Sequence, residues 1–191
     1  MIDTLCDELG GGGEDIAVAC FYFDSTAQKE QSAAGLFGAL LRQIVGGFTQ
    51  IPKEIKDEFQ RYKKYIGGRK PQLPEIVKML GSCSSTQRTF LCLDGVDECS
   101  APDRADILLS LEEIIQTSPT TRVFLTGRPH VGDEVEKRFL CRAAFLSIGP
   151  RIYDNTRYIQ KRLAQDATSD EMDWLLEVEI MGKIMVTASE M

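Results

Sequence analysis

The chain has 191 residues, 43% of them apolar and 27% charged, with a formal charge of −7. That length supports one substantial core, and the balance is that of a globular protein rather than a fibrous or disordered one. The negative charge argues against a general binder of nucleic acid or acidic membrane, which needs clustered Lys and Arg.

In chain order, residues 1–9 read as the last turns of a helix, with Ile2, Leu5, Cys6 and Leu9 on one side, stopped by Gly10 to Gly13. Ile16 to Phe23 is a continuous apolar run, the pattern of a strand buried on both faces. From Ser32 the spacing turns helical, with Leu36, Phe37, Leu40, Leu41, Ile44 and Val45 before Gly46-Gly47. The stretch from Pro52 to Met79 predicts two short helices around Gly67-Gly68. Its basic region, Arg61 to Lys64 with Arg69 and Lys70, reads as a solvated helix face and loop.

Leu91 to Asp94 predicts a second apolar strand, and Ser100 with Pro102 suits the start of a helix whose stripe is Ile107, Leu108, Leu111, Ile114 and Ile115. Arg122 to Thr126 is the next strand, followed at once by Gly127-Arg128-Pro129. A short helix through Val131, Val135 and Phe139 leads to a last weak strand over 143–148. The remainder is helical, with Ile152, Thr156, Ile159 and Leu163 on one face and a capping box of Thr168 and Glu171 opening a final helix. Strands alternating with helices predict an α/β fold, a parallel sheet covered on both faces.

Ligands in such folds bind beyond the carboxyl ends of the strands. Phe90 to Glu98 carries the strongest signal there, an apolar strand running into Asp94, Asp97 and Glu98. Mg²⁺ at phosphate-transfer sites is held by one or two carboxylates plus phosphate oxygens. Asp94 is placed to hold such an ion, and Asp97 and Glu98 to orient or deprotonate a water. Arg128, at the next strand's exit, suits sensing or stabilising a terminal phosphate. Other features read as structural: Gly10 to Gly13 as a turn with no Lys-Ser or Lys-Thr after it, His130 as a surface-loop histidine, Trp174 as a packing anchor. The six cysteines include no CxxC pair and suit small thiols in a reducing compartment, and one histidine fits no zinc spacing. No apolar run reaches membrane-span length, so a cytoplasmic location is expected.

The blocks Val18 to Asp24, Leu36 to Ile44, Phe90 to Cys99, Phe124 to Pro129 and Tyr158-Ile159 together resemble a NACHT-type signal-transduction NTPase, more narrowly the nephrocystin-like modules of fungal multidomain proteins. The resemblance implies a P-loop NTPase module of the STAND class that binds Mg²⁺ with ATP or GTP and switches by self-association with other protein chains. Asp94, Gly95, Asp97 and Glu98 match its Walker B segment, with Asp94 on the metal and Asp97 and Glu98 catalytic. Thr126-Gly127-Arg128-Pro129 is similar to the sensor segment, which gives Arg128 both a catalytic and a nucleotide-binding role. The motif GxxxxGK[ST] does not occur in the 191 residues. The expectation is therefore a partial NTPase domain over 1–150, without its first strand and phosphate loop, followed by the start of a helical subdomain over 151–191. The strand order of that class further implies a partial sheet with the acidic strand between the strands at 16–23 and 122–126. Such a chain should bind nucleotide weakly or not at all, and whether it is an enzyme by itself stays open. The alternative from a different class is a non-enzymatic scaffold that acts through its helical surfaces.

Overall fold

The computed structural model describes residues 16–64, 70–139, 142–149, 152–165 and 173–189. By packing, the chain divides into two compact units, residues 1–143 and 144–191. The first holds a three-stranded parallel sheet: β1 (Ile16–Tyr22), β2 (Arg88–Asp94) and β3 (Thr121–Leu125), in the order β1-β2-β3. The acidic strand is thus the central one, as the strand order implied by the resemblance has it. Its register sets Cys20 beside Cys92 and Tyr22 beside Asp94 on one side, and Leu93 beside Leu125 on the other.

Between the strands run α1 (Ala33–Gly47), α2 (Lys53–Lys64), α3 (Leu73–Ser85) and α4 (Ala101–Thr117), and α5 (Gly132–Phe139) follows β3. The first of these starts where its sequence can satisfy orphan N–H groups: the Ser32 hydroxyl accepts from the Gly35 N–H at 3.2 Å. At α3 the Gln72 N–H donates to the Glu75 carboxylate at 2.7 Å. The α4 start repeats the Ser32 device, with Ser100 accepting from Asp103 N–H and Pro102 in the first turn.

Side chains alternate across a strand, so Ala17, Ala19, Leu91, Leu93, Val123 and Leu125 share one face. That face meets Leu36, Phe37, Leu40 and Ile44 of α1, Val77 and Leu80 of α3, and Ile107, Leu111 and Ile114 of α4 in one apolar cluster. The helical stripes expected at 36–45 and 107–115 are the surfaces that build it. The outer edge of β1 is closed by a side chain rather than a strand. The Gln43 carboxamide accepts from the Cys20 N–H at 3.0 Å and donates to the Cys20 carbonyl at 2.8 Å. One amide thereby satisfies both outward groups of an edge residue.

The second unit contains α6 (Ile152–Ala164) and α7 (Trp174–Ser189), which pack on each other. Two expectations are corrected here. Residues 143–148 form no strand: Arg142 to Gly149 are irregular, and Leu146 and Ile148 are more than four-fifths exposed. Apolar alternation makes a strand only where a neighbouring backbone completes the ladder, and this segment has none among the described residues. Trp174 is 70% exposed in the first turn of α7 rather than anchoring a core. The Asp173 carboxylate caps that helix, accepting from the Leu176 N–H at 2.7 Å. Thr168 and Glu171 lie outside the described residues, as do the helix expected over 1–9, Gly10 to Gly13 and Gly67-Gly68. Among the described residues, no helix is long and apolar enough to cross a membrane.

Candidate functional site

All three strands run the same way, so their exits lie at one end of the sheet, and the acidic segment leaves from the middle. The chain turns sharply after Asp94 because Gly95 adopts φ +77°, the left-handed region that glycine enters without a Cβ penalty. A short 3₁₀ turn, Val96–Glu98, follows and buries Val96 beneath the acidic side chains.

The three carboxylates then separate, each engaging a different segment. Asp94, exposed at the strand end, accepts a short hydrogen bond from the Thr126 hydroxyl at Oδ1. The same hydroxyl accepts from the Gly95 N–H at 3.0 Å. Asp97 turns toward the β3 exit, where its Oδ1 accepts from the Arg128 N–H at 3.2 Å and its Oδ2 lies 3.4 Å from Arg128 Nε. Glu98 turns toward the β1 exit, and its Oε2 accepts from the Ser25 N–H at 2.9 Å. The Gln28 carboxamide donates to the Glu98 carbonyl at 2.9 Å and ties the same loop again. That loop is itself fixed by Asp24, which accepts from the Thr26 N–H and hydroxyl at 2.8 and 2.7 Å. The Thr26 hydroxyl, and after it the Thr26 N–H, hold the Asp24 carboxyl below the usual aspartate range.

Of the residues singled out from sequence, Asp97 and Arg128 therefore meet directly. Asp94 stands beside them through Thr126, and Glu98 faces the β1 side. The Asp97 side chain is 9% exposed and Arg128 is 77% exposed. The carboxylate is fixed by a backbone donor while the guanidinium reaches into solvent. A pair of this kind contributes less than about 1 kcal/mol, which leaves Arg128 free to exchange its partner for another anion. Sequence reading gave no role to Thr126, Ser25 or Gln28. Thr126 could have been found, because parallel pairing of Leu93 with Leu125 sets the residues that follow them, Asp94 and Thr126, side by side.

Gly127 is held between Val96 and Val131. A Cβ there would lie 3.0 Å from a methyl of each and 3.4 Å from Asp97 Oδ1. Both valines are almost fully buried and cannot withdraw. Gly127→Ala is expected to lower stability by about 1–2 kcal/mol and to loosen the Asp97–Arg128 contact. Urea unfolding checks this; an unchanged midpoint would mean the loop relaxes freely.

The oxygens fit a metal only in part. Asp94 offers an exposed hard donor, but among the described residues no three His, Cys, Asp or Glu side chains are grouped to hold an ion. A divalent cation here would need its remaining oxygens from water and phosphate, which is how Mg²⁺ is usually held. The phosphate side does not fit, since the 191 residues supply no GxxxxGK[ST] cradle.

An α/β protein with a parallel sheet and a polar site at its strand exits is the class defined by this arrangement. Residues 1–128 match the nephrocystin 3, N-terminal family, and the chain belongs to that family. The match takes in all three strands and ends at Arg128. No curated protein matches the chain.

Proposed function

We infer that the strand exits form the acidic and sensor half of a nucleotide-dependent switch of the NACHT type. Asp94 is the metal-facing carboxylate in this reading. Asp97 and Glu98 are the water-orienting pair, and Arg128 is the arginine that reads the terminal phosphate. The observation that carries it is the meeting of Asp97 with Arg128 beside Asp94 at adjacent strand exits. A fixed acid next to a solvent-facing guanidinium is suited to exchange one anion for another. The Mg²⁺ that accompanies ATP or GTP would neutralise phosphate charge at Asp94. Without a phosphate cradle in the chain, nucleotide binding is weak and hydrolysis by this chain alone is not expected. In this reading residues 1–150 act as the NTPase-like domain and 151–191 as a helical subdomain. The working compartment is the cytoplasm, and the readout is self-association with other protein chains.

Amide spectra of isotopically labelled protein test this against Mg·ATP and Mg·GTP. The expected result is non-saturating shifts at Gly95, Thr126, Gly127 and Arg128 that require high nucleotide concentrations. Tight, saturable, Mg²⁺-dependent binding would contradict the reading, as would shifts confined to another surface.

One observation favours a non-enzymatic scaffold: every carboxylate of the acidic segment already tethers a neighbouring loop. Asp94→Ala separates the two, because a scaffold retains its partner binding while a nucleotide-gated switch does not.

A further inference from the structure

Two cysteines stand side by side in the sheet. Cys20 of β1 and Cys92 of β2 are register partners in the parallel ladder, and both are thiols. Paired residues send their side chains to the same face, here the one opposite Leu91 and Leu93. Cys83, by contrast, packs in the apolar cluster on the other face, and Cys99 lies beyond the strand under the acidic turn. Paired strands lie about 4.8 Å apart, and the Cα atoms of a disulfide lie about 4.4–6.8 Å apart. The backbone condition for a bridge is therefore already met. The two thiols differ in access: Cys92 is 4% exposed, while Cys20 on the outer strand is partly open to solvent. The Cys20 thiol donates to Gln43 Oε1 at 3.8 Å, a long contact. Rotation about χ1 releases it and swings the sulfur toward β2, a change between staggered rotamers that a partly exposed side chain makes rapidly.

We propose that Cys20 and Cys92 form a reversible thiol–disulfide pair that responds to hydrogen peroxide. Cys20 meets the oxidant first. Its thiol gives up the proton, and its sulfur takes one peroxide oxygen to become a sulfenic acid while the other oxygen leaves as water. The Cys92 sulfur then attacks the sulfenic sulfur. The S–S bond forms as the S–O bond breaks, and a second water departs with the Cys92 proton. The two sulfurs together lose two electrons, and the peroxide gains them. The Cβ atoms of a bridge lie about 3.5–4.5 Å apart, a little closer than the strand spacing. The bond therefore draws the strands together and is of the strained kind that thiols reduce readily. Its effect falls next to the strand exits. Tyr22 pairs with Asp94 two residues further along, so the crosslink fixes β1 to the central strand just short of the acidic segment. It also takes the thiol away from Gln43, whose carboxamide then holds the β1 edge through the Cys20 backbone alone.

Intact-mass spectrometry of the whole chain, fully reduced and then treated with a small excess of hydrogen peroxide, tests this. The expected result is a loss of about 2 Da that a thiol reductant reverses. Peptide mapping with fragmentation should place the bridge between Cys20 and Cys92. Cys20→Ser is expected to abolish the loss. Cys92→Ser is expected to stop at the Cys20 sulfenic acid, a gain of about 16 Da that a sulfenic-acid trap captures. Cys20→Ser, at the more exposed position, decides the matter alone if the buried Cys92→Ser variant does not fold. A chain that never loses the 2 Da overturns the proposal, whether its thiols stay reduced or Cys20 proceeds to the sulfinic acid. A bridge joining any other two of the six cysteines overturns it as well, as does a Cys20→Ser chain that shows the same loss.

Discussion

Leu93→Ala is expected to destabilise the first unit by about 3 kcal/mol, within the 2–5 kcal/mol span of buried leucine truncations. Leu93 is 1% exposed and sits in the central strand, against the helices that carry Leu36, Leu80 and Leu111. The strand is hydrogen-bonded on both sides, so its neighbours cannot close over the lost methyl groups without breaking a ladder. The effect extends to the site, because the Leu93 carbonyl accepts from Thr126 N–H and the next residue is Asp94. Urea unfolding followed by circular dichroism reads the loss, with Phe124→Ala as the exposed comparison at under about 1 kcal/mol. Equal losses in the two variants would show that the core does not lie on the Leu93 face.

Arg104→Ala should have the next largest effect, a loss of about 2 kcal/mol. The Arg104 side chain is 10% exposed, and its Nε and Nη2 meet the two Glu134 oxygens at 2.8 and 2.9 Å. Its Nη1 donates to the Cys99 carbonyl at 3.2 Å. One guanidinium therefore joins α4, the acidic segment and α5, in the fork geometry that makes arginine–carboxylate pairs strong. Breaking a fully buried pair costs about 3–5 kcal/mol. Glu134 is 44% exposed, so water takes back part of its lost interaction and the expected cost is lower.

The same pair sets an acid dependence. Hydrogen bonding to Arg104 holds the Glu134 carboxyl below the ordinary glutamate range. A carboxylate depressed in the folded state stabilises it fully above the unfolded value, about 4.3, and that contribution is lost as the pH falls through the folded one. Glu134→Gln should flatten stability against pH in that acid window and leave its shape near neutrality unchanged. Superimposable acid profiles for the two proteins would show that the pair contributes nothing to acid stability. Burial raises the neighbouring Cys99 thiol, with Arg104 opposing the shift, and the thiol donates to the Val96 carbonyl at 3.0 Å. Cys99 accordingly acts as a small packed group under the acidic turn.

The central sheet was legible because its cause is local. Apolar runs at 16–23 and 90–94, separated by stretches with helical spacing, admit few arrangements other than parallel strands joined by helices. The same logic was misleading at 143–148, where an apolar run lacks the ladder that would make it a strand. Trp174 shows the companion error: size and hydrophobicity favour burial, but only neighbouring elements can provide it.

At the strand exits the division is finer. Sequence spacing alone determined that Asp94 would end an apolar strand, that Asp97 and Glu98 would lie just beyond it, and that Arg128 would leave the adjoining strand. Those placements depend on the periodicity of the chain itself. The partner of each carboxylate was decided only by the tertiary structure: Thr126 for Asp94, Arg128 for Asp97, Ser25 for Glu98. Those partners lie between 31 and 73 residues away along the chain. A hydrogen bond depends on a few tenths of an ångström and on which way a loop leaves its strand, and neither is written in any local run of residues.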